Sequence, residues 1–261
     1  MGTWRMGEDP RARGREADAL RLGLDLGLTL IDTAEMYGEG EAETIVGEAV
    51  AGRRDAVTLV SKVYPHHAGR RAAAEACERS LRRLGTDRID LYLLHWPGTV
   101  PLEETLEAFS ALKRAGKILD HGLSNFDREG MEGAVSLPGG EAVAVDQVLY
   151  NLARRGIERD LLPWCRARGI PVMAYSPLEQ GRLLRRQALR GVAMRRGMTP
   201  AQAALAWLLA QSGVCVIPKA ADPDHVREAR AALDLTLTPE DMADLDRAFP
   251  APSRPGPLEM L

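Results

Sequence analysis

Apolar residues along the chain follow two spacings in turn. Short, nearly continuous runs rich in Leu, Val and Ile alternate with longer stretches in which apolar positions return every three or four residues, as buried strands and amphipathic helices do. The continuous runs predict strands at 28–34, 57–63, 89–96, 118–125, 142–151, 171–178 and 214–220. The helical spacing predicts helices at 10–27, 41–51, 68–84, 102–115, 127–136, 158–168 and 185–196. Three more open on a cap residue and a proline: TPAQAALAWLLAQ, DPDHVREARAAL and TPEDMADLDRAF. In the first of these Thr199 is the N-cap and Gln202 occupies the capping-box position.

A strand-then-helix unit that repeats about every thirty residues is the βα pattern of a parallel sheet. The fold class expected is α/β: a (β/α)8 barrel forming a single domain over 1–261, its first strand truncated to Gly2-Thr3-Trp4. No GxGxxG follows the first strand, so a doubly wound dinucleotide fold is disfavoured. A closed barrel pairs every strand on both sides. Met1 to Asp9 must supply both the first strand and its loop, so this chain is expected to be shorter than the functional protein, or less stable than a version extended upstream.

Composition narrows the function. The net charge of −3 argues against a general nucleic-acid or anionic-membrane surface, and no apolar run approaches the length of a membrane span. Cys77, Cys165 and Cys215 are scattered and lack CxxC spacing, which reads as reduced thiols of a cytoplasmic protein, with no metal site. The protein is expected to be a monomer acting on a small molecule. Of its 34 basic residues only Lys62, Lys113, Lys117 and Lys219 are lysine. Lys113 and Lys117 close a helix, where a dipole role suffices. Lys62 and Lys219 each end an apolar strand, where a compact ammonium with a shiftable pKa has a use that guanidinium does not.

Other strands end on chemistry too. One stops at Asp32, with Tyr37 five positions on inside a glycine-flanked turn, and another at His95 followed by Trp96. Each residue has a plain reading: a cap for Asp32, a surface cation for Lys62, a satisfied core histidine for His95. Parallel strands in one barrel would instead bring all four to the same mouth, where burying an acid and an ammonium requires that they pair. A phenol beside that pair is expected to have a depressed pKa suited to proton donation. His66 and His67, adjacent in a loop, are expected to be solvated.

The motifs DTAEMYGEG, SKV, LLHWPG, GLSNF, QVLYN, AYSPL and IPKA, in this order and spacing, resemble the aldo-keto reductase family from Gly2 to about Phe249. The resemblance implies a barrel that binds NADPH, or NADH, without a Rossmann domain and reduces aldehydes or ketones, 2-oxoaldehydes among them. It implies a tetrad: Tyr37 as general acid, Lys62 lowering its pKa, Asp32 paired with Lys62, and His95 orienting the carbonyl. It places Thr3 among the cofactor-binding residues, Ser124, Asn125, Gln147 and Tyr175 at the nicotinamide end of the cofactor, and Ser176, Leu178 and Gly181 at the pyrophosphate. Ile217, Pro218, Lys219 and Ala220 fall at the adenosine 2′-phosphate, and Glu228 near the adenine. Trp4 and Trp96 are the expected substrate lining.

This chain departs from the family pattern after IPK, where Ala220, Asp222 and His225 replace a small hydroxyl residue and an arginine. That set is a weaker phosphate clamp and leaves the choice between NADPH and NADH open. The short carboxyl tail implies a pocket with few walls. Two other readings are a non-enzymatic, cofactor-binding redox sensor of the same fold, and a metal-dependent barrel. The intact tetrad opposes the first, and the shortage of clustered ligands at the strand ends opposes the second.

Overall fold

The computed structural model describes residues 1–261. Seven strands, β1 (Leu30–Asp32), β2 (Thr58–Val63), β3 (Ile89–Leu94), β4 (Ile118–Ser124), β5 (Val143–Leu149), β6 (Val172–Tyr175) and β7 (Val214–Ile217), follow one another round one sheet in chain order. Ten α-helices lie before, between and after them: α1 (Arg13–Asp25), α2 (Glu41–Val50), α3 (Arg70–Leu84), α4 (Leu102–Arg114), α5 (Arg128–Ser136), α6 (Leu161–Ala167), α7 (Gln187–Arg195), α8 (Pro200–Leu209), α9 (Pro223–Ala231) and α10 (Pro239–Ala248). Sequential strand order with helical crossovers is the topology of a (β/α)8 barrel. The first strand is reduced as expected. Gly2 makes single parallel bridges to Asp32 and to Lys219, and the Met1 carbonyl accepts the Asp32 amide at 2.7 Å.

The chain divides into two compact units, Met1–Asp146 with Lys219–Val226, and Gln147–Pro218 with Arg227–Leu261. In the first unit the register decides what shares a face. Asp32 pairs with Val60 in parallel, and Lys62 with Leu93. Side chains two residues apart on a strand point to one side, so Asp32, Lys62 and, just past the end of β3, His95 step across one face of the sheet. Ile31, Leu59 and Val63 alternate with them and point to the opposite face of the sheet, where all three are buried.

Local chemistry fixes the connections. The turn from β1 to α2 passes Gly38 at φ 56°, where an added Cβ would stand 2.8 Å from the Met6 carbonyl oxygen. On α2, Gly47 allows the helix to approach α3, since a Cβ there would lie 2.7 Å from the Leu84 carbonyl oxygen. Buried Glu43 ties the same region together by accepting from the Ser61 hydroxyl at 2.5 Å and from Arg83 Nε at 2.7 Å. Farther down β3, Asp90 accepts the Leu59 amide at 2.7 Å and pairs with Arg54 at 2.6 Å.

The second unit is built on β6 paired in parallel with β7. Fully buried Trp207 of α8 lies 5.6 Å from the Tyr150 ring, with the Arg155 guanidinium over the indole at 5.0 Å from its ring centre. The capping box of Thr199 and Gln202 forms as the sequence indicates. Strands end earlier than their apolar runs do. β6 stops at Tyr175 because Ser176 turns to φ 52°, and β7 stops before Pro218, which has no amide hydrogen to donate.

Candidate active site

The short apolar β1 ends at Asp32, 3% exposed, and β2 carries Lys62, which is fully buried. An ammonium in that position needs an acceptor for each of its three hydrogens. Lys62 Nζ donates to Asp32 Oδ2 at 2.8 Å, to the Thr33 carbonyl at 2.8 Å and to the Tyr37 hydroxyl oxygen at 3.3 Å. Lys62 has no lone pair to offer in return, so the phenol is the acceptor in this contact and its own hydrogen is left for another partner.

The charges in this cluster set its protonation. Burial by itself would lower the Lys62 ammonium, but the Asp32 carboxylate and the Tyr37 oxygen outweigh it and hold the pKa above its ordinary value. For Tyr37 the expectation of a depressed pKa is corrected. Burial raises the phenol, Lys62 lowers it, Asp32 raises it again, and the net direction is upward. The reason is desolvation: a phenolate in a site this closed loses more hydration than one ammonium, already shared with a carboxylate, returns.

His95, 7% exposed, follows β3, and its ring centre lies 5.7 Å from that of Tyr37. Burial, and then the Lys62 charge, hold its pKa well below the ordinary histidine value, so the ring is neutral near pH 7. Nδ1 is buried with no hydrogen-bond partner. A neutral ring has one proton, and placing it on Nε2 leaves at Nδ1 only an unshared lone pair rather than a buried, unpaired N–H. Trp96 lies beside His95 with ring centres 4.8 Å apart. The tetrad that the strand ends suggested is therefore gathered within the first unit.

Around it, Thr3 is buried and its hydroxyl donates to the Asp32 carbonyl at 3.0 Å. Ser124 ends β4, and Asn125, at φ 61°, donates from Nδ2 to the His95 carbonyl at 3.0 Å and to the Ser124 hydroxyl at 3.1 Å. Trp4 is 38% exposed, with the Arg5 guanidinium 4.5 Å from its ring centre. Lys219 is exposed, and Ala220 half-buried. The Lys219 pKa is lowered by desolvation, with Arg15 and Arg5 adding to the fall and Glu16 opposing it.

In the second unit Gln147 is buried on β5, and Tyr175 is half-buried at the end of β6. Ser176 and Leu178 follow, both half-buried, then Gly181 at φ 84°. A Cβ added at Gly181 would meet nothing within 4 Å, so its backbone lies open to a ligand. Buried Ile217 ends β7, and Glu228 is half-buried on α9.

Four features were missed in the sequence. The Thr33 carbonyl, as the third acceptor for Lys62, has no side-chain signal. Arg5 could have been suspected as a cation next to Trp4. Asp146, a fully buried carboxylic acid on β5 whose pKa burial raises well above normal, reads in sequence as an ordinary polar position before Gln147. Glu35 is buried, and His67 is bound to it rather than solvated, which corrects the expectation for that histidine. His66 is exposed, as expected.

Comparison with known proteins gives a concordant picture. The model of the Aldo/keto reductase family matches residues 1–249. Methylglyoxal reductase YeaE of Escherichia coli (strain K12) is 51% identical over 266 residues, covering 100% of this chain and 94% of the relative. An aldo/keto reductase from Klebsiella pneumoniae, solved in complex with NADP and acetate, superposes with a TM-score of 0.98 at 53% identity, covering 100% of this chain and 94% of its own. A second structure of an aldo-keto reductase from that organism, in complex with NADPH, has the same TM-score, identity and coverage.

Proposed function

The chain belongs to the aldo/keto reductase family, and from that premise we propose that it reduces small aldehydes and ketones, 2-oxoaldehydes such as methylglyoxal in particular, with NADPH. The observation that carries this reading is the contact of Lys62 with both Asp32 and Tyr37. It gives a half-buried phenol that holds its proton at neutral pH and has a cation waiting for the charge left when the proton departs.

The residues present suit the cofactor. Ser124 and Asn125 offer hydroxyl and amide groups at a strand end, and Gly181 exposes backbone where a Cβ would block a close approach. Exposed Lys219, with Arg5 and Arg15 near enough to depress its pKa, forms a cationic neighbourhood that an anionic phosphate would complete. We assign Thr3, Ser124, Asn125, Gln147, Tyr175, Ser176, Leu178, Gly181, Ile217, Lys219, Ala220 and Glu228 to cofactor binding. When bound, NADPH supplies a hydride to the carbonyl carbon.

This chain's own residues do the rest. His95, neutral and protonated at Nε2, donates a hydrogen bond to the carbonyl oxygen and orients it. Tyr37 gives its proton to that oxygen as negative charge builds. Lys62 then faces the phenolate at the distance it already holds, and Asp32 keeps the ammonium aimed. Trp96 beside His95, and Trp4, form apolar walls for a small substrate.

No helix is long and apolar enough to cross a membrane. The reading further takes the protein as a cytoplasmic monomer. Burial pushes the Cys77 thiol up to about 12, which keeps it protonated and unreactive near neutral pH. Initial rates of NADPH oxidation over a panel of methylglyoxal, aryl aldehydes and sugars test the function. Methylglyoxal and small aldehydes are expected to turn over. A panel without turnover, despite cofactor binding, would favour the redox-sensing reading instead.

A further inference from the structure

Glu35 lies between Asp32 and Tyr37 in sequence, is 7% exposed, and has no part in the chemistry described above. Its amide donates to the Lys62 carbonyl at 3.3 Å, which fixes it to the strand carrying the active-site ammonium. Its carboxylate reaches across to the loop after β2. Oε1 accepts the Tyr64 amide at 2.8 Å and lies 3.0 Å from His67 Nδ1, and Oε2 lies 3.7 Å from the Arg79 guanidinium. With a carboxylate as the partner, His67 Nδ1 carries the hydrogen.

A continuous row of rings runs from this anchor to the tetrad. The Tyr64 ring stands 5.9 Å from His67 and 4.7 Å from exposed His66. On its other side it meets Trp96 at 5.8 Å with the planes at 88°. Trp96 is 4.8 Å from His95, and His95 is 5.7 Å from Tyr37. Tyr64 is half-buried, and its edge-on packing on Trp96, its ring contacts with His66 and His67 and the loop backbone together set its distance from Trp96. Glu35 holds this loop at two points, the Tyr64 backbone amide and the His67 side chain.

We propose that Glu35 and His67 are positioning residues: by pinning the Tyr64–His67 loop they hold Tyr64 edge-on to Trp96 and keep the mouth above His95 narrow, which selects small dicarbonyl substrates over bulky aryl aldehydes. This rests on the carbonyl-reduction reading. Loss of the latch frees Tyr64 to move away from Trp96. A small substrate then loses its wall, and a bulky one loses its obstacle.

The test compares His67→Ala with His67→Asn, whose amide nitrogen can stand where Nδ1 does. In His67→Ala, the ratio of kcat/KM for methylglyoxal to that for naphthaldehyde should fall about fivefold or more, a typical span for discrimination in an apolar pocket. The change should lie in KM, with kcat and the NADPH Kd within about twofold of wild type. His67→Asn should restore the ratio. An unchanged ratio in His67→Ala, or equal losses in both variants, overturns the proposal. Long-range 1H–15N spectra of the wild-type protein give a readout independent of turnover. A His67 ring protonated at Nδ1 supports the latch, and one protonated only at Nε2 overturns it even if the protein reduces neither aldehyde.

Discussion

The Lys62 ammonium donates to the Tyr37 phenol oxygen across 3.3 Å while its other two hydrogens are taken by Asp32 and the Thr33 carbonyl at 2.8 Å each. The two short bonds fix the ammonium, and the longer one leaves it able to draw closer when the phenol loses its proton. The site is thus organised for the charge of the reacting state rather than for that of the resting one.

Removing the ammonium tests its structural share. Lys62→Met leaves the Asp32 carboxylate buried without its ion partner and should cost about 3–5 kcal/mol, the usual result of breaking a buried pair from one side. Adding Asp32→Asn should recover much of that stability while carbonyl reduction stays lost. Urea unfolding midpoints of the two variants, alongside turnover, check both halves.

Lys219 should decide between cofactors. Lys219→Ala is expected to weaken NADPH about tenfold or more beyond NADH, since a charged hydrogen bond contributes about 1.5–3 kcal/mol and about 1.4 kcal/mol is tenfold. Because only the ammonium attracts phosphate, NADPH binding should weaken as pH rises through the lowered pKa of Lys219. Fluorescence titration of both cofactors, at several pH values, makes the measurement. Equal losses for the two would remove Lys219 from the phosphate site.

Acid should unfold the protein partly through His121, which is 1% exposed on β4 with the Phe109 ring 5.6 Å away. Burial lowers its pKa from 6.5, and the neighbouring Gly139 backbone offsets only part of the fall. The unfolded chain therefore binds this proton more readily than the folded one. The stability that neutral His121 contributes is present above pH 6.5 and is lost as pH falls below it, at no more than about 1.4 kcal/mol per pH unit. His121→Leu should flatten that decline. Thermal unfolding from pH 7.5 down to 5, compared between the two proteins, shows whether it does.

Much of this arrangement is legible in the sequence because one rule, that a buried parallel strand ends where the chemistry begins, applies repeatedly. Asp32, Lys62 and His95 each close an apolar run, and their shared face follows from a register with whole-residue steps. The tetrad needed no alignment of side chains beyond that. What stayed hidden depended on geometry that spacing does not carry. Glu35 looks like one more acid in an acidic turn until the fold brings Tyr64 and His67 over it. The raised pKa of Tyr37 also escaped, because proximity to a lysine is readable from strand ends whereas the degree of burial, which outweighs it, is not. Arg5 at φ 65° over Trp4 required a left-handed conformation at a residue other than glycine, which the sequence does not mark.

The central claim, that Tyr37 is the proton donor, is tested most directly by Tyr37→Phe, measured as NADPH affinity together with the pH profile of aldehyde reduction. Wild-type reduction should hold through neutral pH and decline only in strong base, because desolvation raises the Tyr37 phenol above its ordinary value. The variant should bind NADPH about as tightly as wild type and lose about 10² to 10⁴-fold in kcat/KM, the usual contribution of a positioned acid. Comparable turnover in Tyr37→Phe, with an unchanged pH profile, would contradict the account and assign the proton to another group.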